Sequence, residues 1–324
     1  MTAERQRMLD DHWKKWGPYV SNRQWGTVRE DYSHNGNAWG HTTYNDAISR
    51  AYRWNEDGIA GICDDKQLLC FAFSFWNRKD KMIKERFFGL SNYEGNHGED
   101  IKEIFYYLDN TPTHSYMKMV YKYPIQRFPY EDLIAENARR SKTEPEYELV
   151  DTGIFDDNNY FDLFIEYAKI AHDDFAIRVT AVNRSRNKAP LVILPTLWYR
   201  NNWSWGYGTY EPSLKSSSKG TIDICHDSLP QKKFYSRHSN VESLFCNNET
   251  NPAKINAHPS DHKFFKDGIN DFIVHQTENT LNPDQSGTKA SFYINTELEA
   301  GESETFDFRL SPHDMENAFF DFDE

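Results

Sequence analysis

Five stretches of the chain interleave aromatic rings with hydrogen-bonding and charged side chains: RQWGTVREDYS (23–33), SRAYRWNEDG (49–58), EGNHGEDIKE (94–103), PTHSYMK (112–118) and TLWYRNNWSWGYG (196–208). A saccharide needs this mixture. A pyranose has an apolar face of C–H groups that stacks on Trp or Tyr, and a ring of hydroxyls that needs Asp, Glu, Asn, Arg and His as directional partners. Taken singly, Trp25 and Trp54 are better explained by core packing. In 198–208 that explanation weakens, because Trp198, Trp203, Trp205, Tyr207 and Tyr210 cannot all face one core when Asn201, Asn202, Gly206 and Gly208 make the segment a loop. Glycoside hydrolysis needs two carboxyl groups about 5–10 Å apart, one an acid and one a base or nucleophile. Glu30, Asp31, Glu99 and Asp100 qualify by type, but spacing selects no pair from them, and Glu99 and Asp100 also suit a turn before a strand.

Other chemistries lack their signatures. The sequence has no GxxxxGK[ST], no GxGxxG after a strand, no GxSxG and no HExxH. His258 and His262 have i,i+4 spacing, but they fall in a Pro/Asn-rich loop without a glutamate placed as a base, so a metal site is not expected there. The 37 basic against 50 acidic side chains leave a net charge of −13 over 324 residues, which argues against nucleic-acid or anionic-membrane partners. Neither a signal-peptide apolar run nor a membrane span is visible, so a soluble cytoplasmic protein is expected. Cys63, Cys70, Cys225 and Cys246 lack CxxC spacing and read as reduced, mostly buried thiols. Sequons at Asn183, Asn202 and Asn248 would matter only in a secretory lumen.

The elements that must position these residues are strands. Rings make up 15% of the chain, while the whole hydrophobic set is only 38%, so aromatic side chains must fill much of the core. Period-two alternation marks strands at 69–76 and 116–123, with further candidates at 101–108, 146–151, 160–169, 175–183, 190–200, 220–226, 241–246, 290–296 and 304–310. Residues 175–183 and 190–200 read as a hairpin turning near Arg186-Asn187-Lys188, its second strand buried on both faces and its Pro195 marking an edge or bulge. Leu9, Trp13 and Trp16 predict a short helix over 3–16 ending at Gly17-Pro18, and PYEDLIAENARR predicts a second over 129–140. The segments 213–219 and 247–263 read as loops. The expected class is all-β, a large antiparallel sandwich with a few peripheral helices.

The strings RQWGTVREDYS, SRAYRWNEDGIAG, GNHGEDIKE, DNTPTHSYMKMVYKYP, EYELVDTGIFDDNNYFD and PTLWYRNNWSWG closely resemble the amino-terminal region of bacterial and fungal glucosidase-like proteins in and around glycoside hydrolase family 63. These include proteins with a mannosylglycerate-hydrolase-like catalytic domain. The likeness runs in order from about residue 10 to 210 and more thinly beyond. It implies an amino-terminal β super-sandwich packed on a downstream (α/α)6 barrel that holds the acid and base for inverting hydrolysis of an α-glucosidic or similar bond, with no metal or organic cofactor needed for the chemistry. On that expectation residues 1–17 are a helical lead-in, 18–312 the super-sandwich, and 313–324 the start of a linker. The barrel and the catalytic pair then lie outside the chain, which is too short for both units. The residues expected at the sugar rim or the barrel interface are Trp25, Arg29, Glu30, Arg53, Trp54, His97, Glu99, Arg200, Trp203 and Trp205. The expected partners are a carbohydrate and a helical barrel in cis or in trans. A non-catalytic carbohydrate-binding module and a structural partner of a separately encoded barrel are the alternatives.

Overall fold

Alternation with period two places every second side chain on one face of a strand, so a chain patterned this way is stable only when those faces are pressed together. The computed structural model describes residues 2–20, 43–51, 58–90, 94–97, 100–204, 206, 210–256, 260 and 262–323. Its strands, in chain order, are β1 (Trp16–Gly17), β2 (Ile59–Asp64), β3 (Leu69–Trp76), β4 (Gly89–Leu90), β5 (Asp100–Ile101), β6 (Phe105–Asn110), β7 (Tyr116–Pro124), β8 (Tyr160–Ala171) and β9 (Asp174–Asn183). There follow β10 (Ala189–Tyr199), β11 (Ser213–Ser218), β12 (Thr221–Cys225), β13 (Lys232–Ser236), β14 (Glu242–Cys246), β15 (Ser286–Gly287), β16 (Lys289–Leu298) and β17 (Ser303–Ser311). Helices α1 (Ala3–Arg7), α2 (Tyr44–Ala47), α3 (Tyr130–Arg139), α4 (Pro252–Ile255) and α5 (Gly268–His275) are short additions.

The strands form an all-β sandwich of two large antiparallel sheets. One has the order β1-β2-β3-β10-β16-β14, the other β15-β11-β12-β13-β17-β9-β8-β7-β6, and β4 pairs with β5 alone. Between the large sheets, Phe71, Phe73 and Phe75 of β3 and Phe292 of β16 meet Tyr121 and Tyr123 of β7, Phe306 and Phe308 of β17, and Phe234 of β13. Rings carry this contact, as the composition requires. Phe234 stacks on Phe292 at 4.9 Å between centroids and meets Phe71 edge-on at 5.2 Å, arrangements that favour the ring quadrupoles.

The six-stranded sheet is covered on its other face as well. Val192 and Leu194 of β10 and Leu244 and Cys246 of β14 pack with Tyr130 and Leu133 of α3 and Ile269 and Ile273 of α5. This explains the nearly continuous apolar run of β10, broken only by Thr196. The outer face of the nine-stranded sheet is instead polar, with Asp162 between Lys122 (2.7 Å) and Arg184 (2.6 Å), and Asp307 between Arg178 (2.7 Å) and Arg237 (3.0 Å).

Five expectations are corrected. Strands β9 and β10 are not a hairpin: β9 pairs with β8 and β17, while β10 lies between β3 and β16 in the opposite sheet. The turn is a crossover between layers, fixed by Asn183, whose side-chain Nδ2 donates to the carbonyls of Asn187, Leu298 and Glu299. Pro195 sits neither at an edge nor in a bulge. Its register with Phe73 is regular, and only the ladder to β16 lapses beside it, where Ser291 donates instead to the Pro195 carbonyl. Residues 149–152 form a 3-10 turn and not a strand: the Asp151 carboxylate accepts from the Glu148 amide at 2.8 Å and closes its start, and Gly153 in the left-handed conformation ends it. The lead-in breaks after α1 into a 3-10 turn at Asp11–Lys15 capped by Asp10, and Trp16 joins β1. Finally, Ser213–Ser218 is strand β11, which buries only Leu214 and therefore reads as polar throughout. The helix near 129–140 is found as α3, and residues 247–263 hold only the one-turn α4 among the described residues.

Candidate functional site

Strands β10 and β14 both run antiparallel to β16, so their carboxy-terminal ends emerge together beside the start of β16. The β2–β3 turn joins them, since β3 also runs antiparallel to β10. Four loops therefore meet at one end of the six-stranded sheet, and backbone bonds fasten them. The Arg200 amide donates to the Leu68 carbonyl at 3.0 Å, and the Tyr199 amide to the Thr288 carbonyl at 3.0 Å. Gly287 permits the closest approach: a Cβ there would lie 2.3 Å from the Cys246 carbonyl oxygen.

Two buried asparagines convert this junction into a platform. The Asn248 side chain donates to the Tyr199 carbonyl at 2.9 Å, and its amide donates to the Thr288 hydroxyl at 2.8 Å. The Asn201 side chain donates to the Asn248 carbonyl at 2.8 Å and accepts from the Ser204 amide at 3.0 Å, an Asx turn that folds 201–204 back on itself. That turn aims Trp203 at Glu249. The indole Nε1–H donates to Glu249 Oε1 at 3.0 Å while the ring packs partly against the sandwich core. His262 Nδ1 lies 3.6 Å from Glu249 Oε2. Partial burial pushes the Glu211 carboxyl above its ordinary value, and the negative charge of Glu249 pushes it further, with His262 opposing. Arg200 reaches Asn202 Oδ1 at 3.3 Å and the Lys66 carbonyl at 3.4 Å.

Beneath the platform lies a second layer of buried charge. Glu85 contacts Arg86 at 2.8 Å and Lys289 at 3.1 Å. Burial alone would raise the Glu85 carboxyl, but the charges of Lys289, Lys266 and Arg86 outweigh it and hold it at about 2. Glu85, Lys266 and Lys289 line a cavity of about 10 Å³ together with Trp198, Thr196 and Asn248, enough for one water. Asn248 thus connects the charged floor to the Trp203–Glu249 rim.

The arrangement offers one indole, two carboxylates of unlike environment, a guanidinium, an imidazole and several amides at the mouth of a rigid scaffold. Such groups can stack on a sugar ring and can both accept from and donate to hydroxyls. Of the residues expected at a rim, Arg200 and Trp203 meet here. His97 is held elsewhere: its Nε2 lies 2.8 Å from the Glu144 carbonyl, beside Asn96, which donates to the Ser141 and Glu144 carbonyls. Trp25, Arg29, Glu30, Arg53, Trp54, Glu99 and Trp205 lie outside the described residues. Sequence reasoning missed Glu249, Glu211 and Asn248. The available signal was a carboxylate three residues after the last buried residue of a strand, Cys246, inside a stretch polar enough to be read as loop.

Two sequon asparagines, Asn183 and Asn248, are buried with their amides engaged, so neither is open to a glycan. Cys63, Cys70 and Cys246 are buried free thiols and Cys225 is half-buried, as expected. Among the described residues no group of three or more His, Cys, Asp or Glu is placed to hold a metal ion, and no helix is long and apolar enough to cross a membrane.

No protein-family model matches the chain. An X-ray structure of a galactose mutarotase related enzyme from Lactobacillus acidophilus aligns over 74% of this chain and 87% of that chain, with a TM-score of 0.29 and 8% identity. An uncharacterized protein of Saccharomyces cerevisiae is 37% identical over 360 aligned residues, which take in 98% of this chain and 33% of the yeast protein. The chain therefore spans about one third of the length of this relative.

Proposed function

We propose that this chain is the sugar-facing sandwich of a glycoside hydrolase resembling family 63, supporting a helical catalytic barrel and lending its loop end to the rim of the saccharide pocket. The observation that carries the reading is the Trp203–Glu249 pair on the Asn201–Asn248 platform, an aromatic face fixed beside hydroxyl partners. In the complete enzyme the acid and base for inverting hydrolysis of an α-glycosidic bond belong to the barrel, in cis or in trans. The sandwich contributes positioning, since an oriented sugar reacts faster than a tumbling one. The much greater length of the yeast relative is in keeping with a further unit of that kind.

The test is the indole N–H resonance of Trp203, followed by NMR while methyl α-glucoside or maltose is added to the chain. The expected result is a saturable shift at millimolar sugar, lost in Glu249→Ala, with no release of glucose. Absence of any shift in a folded chain would exclude sugar contact at this end. Turnover of the sugar by the chain alone would overturn the assignment of catalysis to a barrel. The carbohydrate-binding module reading draws on Tyr210, whose exposed ring lies on the same loop as Trp203. It requires binding that is unchanged when a barrel is supplied, whereas the proposed role requires the barrel to tighten it.

A further inference from the structure

Among the described residues, both large sheets leave an edge open on the same side of the sandwich. β6 is the last strand of the nine-stranded sheet, and β1 covers β2 only at Cys63 and Asp64, so Ala60, Gly61 and Ile62 have no β-ladder partner on that side among the described residues. Between these edges lies a cavity of about 270 Å³, close to the lower end of ligand-site volumes. Its deep end is apolar: Val20, Ile62, Met117 and Met119 line it, and the one hydroxyl there, on Tyr167, is consumed by the Ala60 carbonyl at 2.6 Å. Methionine thioethers are polarisable and adapt to flat carbon surfaces.

The mouth is different. Tyr107 presents a ring that is 65% exposed, next to a bulge at Leu108 that breaks the regular pairing of β6 with β7. Bulges redirect side chains and recur beside functional sites. Asp109 lines the mouth without a hydrogen-bond or ion-pair partner among the described residues, and its register partner is Lys118, which donates to Glu166 at 3.1 Å. Asn110 adds an amide, its Oδ1 lying 2.9 Å from His114 Nδ1. With the Lys118 ammonium taken by Glu166, the mouth is left with the Asp109 carboxylate as an acceptor, which disfavours an anion and calls for a donor. It suits a neutral head that both donates and accepts, which is the chemistry of hydroxyls.

We propose that this slot is a second binding site, for a glycoside with a small aromatic or short alkyl aglycone: the aglycone on Met117 and Met119, the sugar ring against Tyr107, a hydroxyl donating to Asp109. It shares no residue with the loop end, so either site can fail alone. The probe is phenyl α-D-glucopyranoside, compared with phenol and with methyl α-glucoside, and the readout is the 13C-methyl resonances of Met117 and Met119. Saturable shifts with the phenyl glucoside, weakened about tenfold in Asp109→Ala as expected for loss of one charge-assisted hydrogen bond, support the site. Because Asp109 is exposed, that variant should fold, and circular dichroism checks it. No shift in the folded protein would overturn the proposal. Equal affinity for phenol, unaltered in Asp109→Ala, would overturn it too, since the head would then play no part.

Discussion

The ammonium of Lys84 lies 2.7 Å from the carboxylate of Glu103, and neither side chain is exposed to solvent. The remaining capacity of each is filled: Glu103 accepts from the Phe88 amide and the Tyr121 hydroxyl, and Lys84 sits 3.7 Å from the centre of the Phe128 ring. A pair desolvated this fully contributes little over an apolar substitute, yet breaking it strands a charge. Lys84→Met should therefore lower the urea stability by about 3–5 kcal/mol. Lys84→Met/Glu103→Gln should recover part of that loss, because Gln keeps an acceptor for Phe88 and Tyr121. A double variant no more stable than the single one would contradict this account.

Glu4 gives the amino-terminal attachment a pH dependence. Burial by itself would raise its carboxyl, but hydrogen bonds from the Thr113 and Ser115 hydroxyls, the Thr113 amide and Arg7 outweigh it and hold the group at about 2. A carboxyl depressed on folding stabilises fully above its unfolded value, near 4.5, and loses that contribution as pH falls towards about 2. The protection factors of residues 3–16, with the intrinsic exchange rate divided out, should fall as pH drops through this window. In Glu4→Gln those protection factors should be low already at neutral pH and nearly independent of acidification.

Arg309 is a buried post on which two segments hang. It forks onto Asp174 at 2.9 and 2.8 Å and also reaches the Ala318 carbonyl at 2.9 Å and Asp321 at 2.5 Å. Arg309→Met leaves Asp174 buried without its cation and should cost about 3–5 kcal/mol in urea unfolding. Asp321→Asn removes only the more exposed partner and should cost about 1 kcal/mol or less, while opening residues 313–323 to limited proteolysis.

At the loop end, Gly287→Ala should be costly for a steric reason. The new Cβ would meet the backbone carbonyl of Cys246, which cannot rotate away as a side chain would. The expected signs are a fall of about 1–3 kcal/mol in stability and a displaced Trp203 indole N–H resonance, because β14 and Asn248 must move. An unchanged indole signal would show that the platform is not tied to this contact.

Much of the sandwich was legible because its strands alternate. Phe71, Phe73 and Phe75, or Met117, Met119 and Tyr121, announce one buried face each. The sequence is silent about which sheet a strand joins: the polar turn after β9 serves a crossover as readily as a hairpin, and Asn183 decides between them through contacts with residues more than a hundred positions away. An edge strand such as β11 needs only Leu214 inside, so nothing in its pattern separates it from a loop. At the site, Trp203 and Arg200 stood out as a ring and a charge in a glycine-rich stretch. Glu249 did not, because its partner indole is 46 residues away and no periodicity links them.

The crossover from β9 to β10 also has a mechanical meaning. Residues 184–188 are the whole tether between two strands in opposite layers, and five residues can extend to no more than about 17 Å, against a layer spacing of about 10 Å. With both strands hydrogen-bonded on each side, the layers can neither part nor shear far without first unzipping a ladder. Force applied at the loop end of one sheet is therefore borne directly by the other, and the sandwich can act as a rigid abutment for whatever presses against it.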